Sequence, residues 1–186
     1  MVDIQKLLDD ATAIVNATGA SWAVMGGCAR NAYAEPRATK DVDFVVEVDA
    51  ARFADLQSRL AAAGFHQASA VTDPGEPIPD LVLYRDAAGR RVDILFAHTA
   101  FEQSALARCK SLAPFGGAVV HVVSAEDLIV YKLIADRPQD RADIVAVVQA
   151  QRARSEPLDW TYVEKWCDAW EISGRLATLR VALAED

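Results

Sequence analysis

Apolar residues recur at three- and four-residue steps through Ile4, Leu7, Leu8, Ala11, Ile14 and Val15. That spacing predicts an amphipathic helix ended by Gly19. The period then shortens. Trp22 to Met25 reads as an apolar strand, Gly26-Gly27 as a turn, Cys28 to Ala34 as a helix stopped before Pro36, and Val42 to Val48 as a second strand. Asp49 is placed to cap a helix that carries Phe53, Leu56 and Leu60 on one face and ends at Gly64. Phe65 to Val71 follows as a strand, and Thr72 to Asp80, with three prolines and a glycine, as a loop. Leu81–Arg85 and Arg90–Phe96 flank Asp86-Ala87-Ala88-Gly89, a hairpin signal. Phe101 to Cys109 has helical spacing, and Ala118 to Val123 reads as another strand.

From Ser124 the pattern is helical to the end. Ser124 and Asp127 resemble a capping pair ahead of Leu128, Tyr131, Lys132 and Ala135. Pro138 fits the first turn of a helix reaching about Arg154, and Asp159–Trp170 and Ile172–Ala184 close the chain beyond Pro157. The pattern predicts an α+β protein. About five short strands with helices form a core over residues 1–123, and a helical C-terminal region over residues 124–186 packs on it.

Composition narrows the class. A hydrophobic content of 52% with 25% charged residues excludes a disordered chain. No apolar run is long enough to span a bilayer and the N-terminus lacks a signal-peptide layout, so a cytoplasmic location and no membrane partner are expected. Cys28, Cys109 and Cys167 have no paired spacing, which argues against a disulfide framework or a zinc knuckle. The net charge of −8 argues against a broad grip on nucleic acid but leaves room for a local basic pocket. Arg30, Arg37, Lys40, Arg90, Arg91 and Lys132 are candidates to build one.

The chemistry is concentrated between Trp22 and Glu47. Alternation along a strand puts Asp41 and Asp43 on one face, where two carboxylates repel unless a cation lies between them. Aspartate is depleted in strands, and the flanking Val-Asp-Phe-Val-Val makes a solvated edge the poorer explanation. Asp93 is a third strand carboxylate, with a salt bridge to Arg90 or Arg91 as the plainer alternative. Gly26-Gly27 lets backbone approach a ligand and exposes the following helix's N–H groups to an anion, although taken alone such a pair is more often an ordinary tight strand-to-helix turn.

Gly26-Gly27 followed by Arg37-Ala38-Thr39-Lys40-Asp41-Val42-Asp43 resembles the signature of the nucleotidyltransferase superfamily, which has the DNA polymerase β-like fold. Within it the run is most similar to AbiEii-type toxin nucleotidyltransferases of toxin–antitoxin systems. Asp93 in Arg-Arg-Val-Asp-Ile-Leu matches the family's third acid. Lys132 to Ala135 with Arg137, Asp140 and Asp143 resembles a compressed form of its later helical motif. The resemblance covers roughly residues 20 to 148. It implies a nucleotidyltransferase fold, a short mixed sheet flanked by helices. It also implies transfer of NMP from an NTP co-substrate to an acceptor, dependent on Mg²⁺ or Mn²⁺. Asp41, Asp43 and Asp93 would then be catalytic and hold metal. Gly26, Gly27, Arg30, Arg37, Thr39, Lys132 and Asp140 would bind nucleotide or phosphate, and Asp143 would help position Lys132. The acceptor would be an RNA end, a protein or a small molecule, and an antitoxin protein a possible partner.

Alternatives remain open on the sequence. One is antibiotic modification by nucleotide transfer, as in aminoglycoside or lincosamide nucleotidyltransferases. Another is a regulatory protein that keeps the fold and nucleotide binding without turnover. A Rossmann module fits less well, because Asn31 stands where its third glycine belongs. His66, His98 and His121 read as half-buried structural residues, and Trp166 and Trp170 as core packing.

Overall fold

Short polar side chains start most of the helices, as the sequence pattern predicts. The computed structural model describes residues 3–185, so the outermost residues of the two-part division (1, 2 and 186) lie outside the described residues. Asp3 accepts the Lys6 N–H at the start of α1 (Ile4–Asn16), whose buried stripe is Leu7, Leu8, Ala11 and Val15. β1 (Ser21–Met25) runs directly into α2 (Gly26–Tyr33), and β2 (Asp41–Glu47) follows. Asp49 caps α3 (Ala50–Ala62), after which come β3 (His66–Val71), β4 (Leu81–Arg85) and β5 (Arg91–Phe96). Thr99 and Glu102 form a capping box on α4 (Ala100–Ala107), and β6 (Lys110–Leu112) and β7 (Val120–Val122) complete the sheet. Four helices follow: α5 (Ala125–Ala135), α6 (Pro138–Ala153), α7 (Trp160–Ala169) and α8 (Ser173–Glu185).

The seven strands form one mixed sheet in the order β3-β4-β5-β2-β1-β7-β6. This exceeds the five or so expected: β7 falls within the strand predicted over Ala118–Val123, whereas β6 has three residues, too few to show alternation. β2 is central, antiparallel to β1 and parallel to β5. The hairpin predicted at Asp86–Gly89 joins antiparallel β4 and β5, with the Arg90 N–H bonded to the Asp86 carboxylate. One side of β2 and β5 carries Val42, Phe44, Val46, Val92, Ile94 and Phe96, all buried in one apolar cluster with the stripes of α1 and α3. The opposite side carries Asp41, Asp43, Arg91 and Asp93, each half-buried.

α5 serves two cores. Leu128 joins the sheet cluster, whereas Ile129, Val130 and Leu133 pack with Phe101, Ile144, Val163 and Trp166 in a second. Two side-chain expectations need correction. Trp166 packs on Phe101 with ring centroids 5.2 Å apart, but Trp170, at the C-cap of α7, is 38% exposed. His66, His98 and His121 are all exposed rather than half-buried: His66 is on the edge strand β3, His98 is in the loop after β5, and His121 is on the outward side of β7 between buried Val120 and Val122. Among the described residues no helix is long and apolar enough to cross a membrane.

Candidate active site

The β1–α2 junction is built to meet β2. Gly26 adopts φ +62°, turning the chain from strand into helix without a loop. A Cβ on Gly26 would lie 2.0 Å from Asp43 Oδ2, so only glycine leaves room for that carboxylate. The Gly27 N–H, in the first turn of α2, bonds the same carboxylate. A Cβ on Gly27 would in turn lie 2.6 Å from Thr39 Oγ1. The glycine pair therefore fits backbone around Asp43 and Thr39 as well as facing the cleft.

Strand register gathers the acids. Asp43 stands beside Asp93 across the parallel β2–β5 pair, and Asp41 stands beside Arg91. Burial, then the charges of Asp41 and Asp93, push the Asp43 carboxyl up to about 7. Asp93 is raised too, by burial and by Asp41, with Arg91 and Arg85 opposing. Neither Arg90 nor Arg91 forms an ion pair with Asp93. Arg90 bonds Asp86 and Asp10, and Arg91 Nη2 lies 2.6 Å from Asp41 Oδ2. The other oxygen of Asp41 accepts from Thr39 Oγ1 at 3.1 Å. With Asp41 turned onto Arg91, no three Asp, Glu, His or Cys side chains among the described residues are gathered closely enough to hold an ion as they lie. The close convergence expected of the three carboxylates is thus interrupted by a guanidinium. The donor set nevertheless suits a hard divalent cation, being three carboxylates on one sheet face, with Asp43 raised to about 7 by burial and then by the charges of Asp41 and Asp93.

Opposite the sheet, α5 and α6 supply cations and their partners. Lys132 is buried and donates to Asp140 Oδ1 at 3.0 Å and to Asp143 Oδ2 at 2.6 Å. Arg37 forks onto both oxygens of Asp143 at 2.7 Å each. Burial alone would raise the Asp143 carboxyl, but the bonds from Arg37 and Lys132 outweigh it and bring it to about 2. Asp140 is likewise lowered: bonds from Arg137 and Lys132 overcome its burial.

These groups surround one cleft of about 440 Å³, lined by Gly26, Gly27, Arg37, Thr39, Lys132 and Asp140 as well as the three acids. Arg30 is the exception among the predicted residues. It does not line the cleft: its guanidinium is buried against the Glu35 carbonyl and Asn31, with Asp143 3.6 Å away, so it ties the segment after α2 to α6. Asp143 is not on the lining either and acts from behind Lys132 and Arg37. The cleft also includes Leu128, Tyr131 and Ala135, which with Lys132 make a stripe along α5. Their spacing was readable in the sequence, but which face of α5 turns to the sheet was not.

No family model matches the chain, and no curated protein matches it by sequence. Solved structures do match by shape. The solution structure of the antibiotic-resistance factor ANT(2'')-Ia aligns over 100% of both chains at 19% identity, with a TM-score of 0.62. The crystal structure of ANT(2'')-Ia with adenylyl-2''-tobramycin covers 89% of this chain and 95% of that one at 18% identity, TM-score 0.59. The lincomycin-bound lincosamide antibiotic adenylyltransferase LnuA covers 79% and 93% at 14% identity, TM-score 0.50. At such identities what is shared is the architecture, and the chain has the α+β nucleotidyltransferase fold, a mixed sheet flanked by helices with a helical C-terminal third.

Proposed function

We propose that this chain transfers a nucleoside monophosphate from an NTP to an acceptor hydroxyl, releasing pyrophosphate. The observation that carries the reading is the side-by-side placement of Asp43 and Asp93, with Asp41 two residues along, on the wall of a cleft whose far wall holds Lys132. In the transfer the acceptor oxygen bonds to the α-phosphorus, the bond from that phosphorus to the bridging oxygen breaks, and pyrophosphate leaves. Asp93, with its raised pKa, is the group we assign to take the acceptor's proton. Lys132 and Arg37, oriented by Asp140 and Asp143, face the triphosphate's negative charge from the other wall. Gly26 and Gly27 leave space for phosphate to approach backbone. Asp41, Asp43 and Asp93 would hold Mg²⁺ or Mn²⁺, which when bound neutralises the triphosphate and acidifies the acceptor hydroxyl. The proposed division at residue 124 serves this chemistry, since the acids come from before it and Lys132 and Asp140 from after it.

The Arg37–Asp43 run supports a finer reading as an AbiEii-type toxin working in the cytoplasm and held in check by an antitoxin. A second reading, antibiotic modification, is supported by the full-length shape match to ANT(2'')-Ia. Incubation with each labelled NTP, Mg²⁺ and total RNA, or with an aminoglycoside or lincosamide in place of RNA, tests both. Label transfer is expected in one arm, and Asp43→Ala should lower it by at least about 100-fold through lost metal affinity. Transfer that survives Asp43→Ala would remove the acids from the chemistry. NTP binding without transfer in any arm would favour a regulatory role.

A further inference from the structure

Arg91 stands between a carboxylate and a like charge. Its neighbour on β2 is Asp41, and its neighbour on β4, directly across the antiparallel pair, is Arg85. Arginines that face one another across two strands repel, and the charges of both are felt at Asp93. Arg91 leans on Asp41: Nη2 lies 2.6 Å from Oδ2, and the two side chains are 29% and 28% exposed. The other oxygen of Asp41 accepts from Thr39, for which Gly27 leaves room. An ion pair partly open to water holds weakly and can be exchanged.

The other paired cations of the cleft are anchored differently. Lys132, Arg37 and Arg137 rest on Asp140 and Asp143, on the helical wall. Among the described ion pairs of the cleft's cations, Arg91 alone has one of the three strand acids as its partner. Asp41 cannot serve a divalent cation while Arg91 holds it this closely, because guanidinium and metal ion repel. Once released, the guanidinium has Arg85 on one side and the metal ion on the other, both positive. Only an anion in the cleft relieves it there. Arg91 lines the same cleft as Gly26, Gly27 and Lys132, where the triphosphate is placed.

We propose that Arg91 is a positioning residue that makes nucleotide and metal ion bind together, yielding Asp41 to the divalent cation and turning onto the triphosphate. The inference rests on the transfer reading above and adds the coupling between its two ligands. In each ligand's absence the other must break the Arg91–Asp41 pair without replacing it. Each therefore raises the affinity of the other, by the same factor.

The test is equilibrium binding, read without turnover. Calorimetry on the full chain gives the affinity for Mn²⁺ alone, and for a non-hydrolysable NTP analogue both in chelator and at saturating Mn²⁺. The ratio of the two analogue affinities is the coupling. Wild type, Arg91→Gln and Arg85→Gln are compared after thermal melting confirms that each folds, and Arg91→Met carries the same expectation if the glutamine variant does not. In Arg91→Gln the coupling should fall by about fivefold, and Mn²⁺ alone should bind tighter by about the same factor. Arg85→Gln removes an equal charge one strand away and should leave the coupling within about twofold of wild type. A coupling unchanged in Arg91→Gln, with the analogue weakened equally in chelator and in Mn²⁺, makes Arg91 a plain charge and overturns the inference. An equal fall in Arg85→Gln overturns it as well, and both outcomes leave the transfer reading standing. A wild-type protein that binds neither Mn²⁺ nor the analogue overturns the transfer reading and this inference together.

Discussion

At the scale of single residues, Gly26 and Asp43 form one unit. Gly26 combines a left-handed backbone with a carboxylate where its Cβ would be, whereas Gly19 has φ +67° and nothing within 4 Å. Gly26→Ala should therefore cost more than the roughly 1 kcal/mol of backbone strain expected at Gly19→Ala, and should disturb Asp43 as well. Denaturant unfolding of the two variants checks the ranking, and equal costs would separate Gly26 from Asp43. Asp43 also gives a pH signature in the presence of a chelator. Its carboxyl keeps a proton to about pH 7 when folded and would lose it near 3.8 in the unfolded chain. The folded state is then the more protonated, so this group's contribution to stability falls as pH rises from about 4 to 7. Asp43→Asn should flatten that part of the wild-type stability profile. An unchanged slope in the variant would show that the Asp43 carboxyl is not raised by its burial and its acidic neighbours.

At the scale of elements, α5, α6 and the segment after α2 are joined through Asp143. It holds Lys132 and Arg37 with three bonds of 2.6 to 2.7 Å, and Lys132 is 5% exposed. Removing one partner of a buried ion pair leaves the other uncompensated, so Asp143→Ala should destabilise by about 3 to 5 kcal/mol. Chemical denaturation at neutral pH measures it. The pH sign is opposite to that of Asp43. A carboxyl held at about 2 contributes stability above pH 4 that is lost as pH falls towards 2, and the variant should lack this part of the acid transition. A loss under 1 kcal/mol would make the cluster a solvated network rather than a buried one. β3 lies at the other extreme of burial, with all six residues exposed at a sheet edge.

At the scale of the whole molecule, the helical back third is tied to the sheet through α5. Tyr162 on α7 donates to the fully buried Asp127 at 2.6 Å, and Ser124 donates to the other oxygen of Asp127 at 2.5 Å. Tyr162→Phe leaves Asp127 one donor short, and should cost about 1 to 3 kcal/mol. Because Tyr162 lies outside the cleft lining, NTP affinity at a temperature where the variant is folded should stay within about twofold of wild type. Calorimetry and nucleotide titration on the same sample check both parts. A large loss of NTP affinity would show that α7 sets the cleft's shape.

Periodicity of two and of 3.6, caps such as Asp3, Asp49 and Ser124, and the turn at Asp86–Gly89 determine the order of elements, because each depends on residues within a few positions of one another. The same local logic puts Asp41 and Asp43 on one face and marks Gly26 as a special backbone position. Tertiary structure alone decided that β2 and β5 lie side by side in the register that sets Asp43 against Asp93, some fifty residues apart in the chain. It decided that Arg91 pairs with Asp41, that Arg30 serves the fold instead of the cleft, and that Arg85 and His66 extend a row from the acids. β6 is too short to carry a pattern, and neighbours across a sheet leave no periodic trace in sequence. Strand order and register arise from the packing of distant segments, and the cleft exists only once that packing is made.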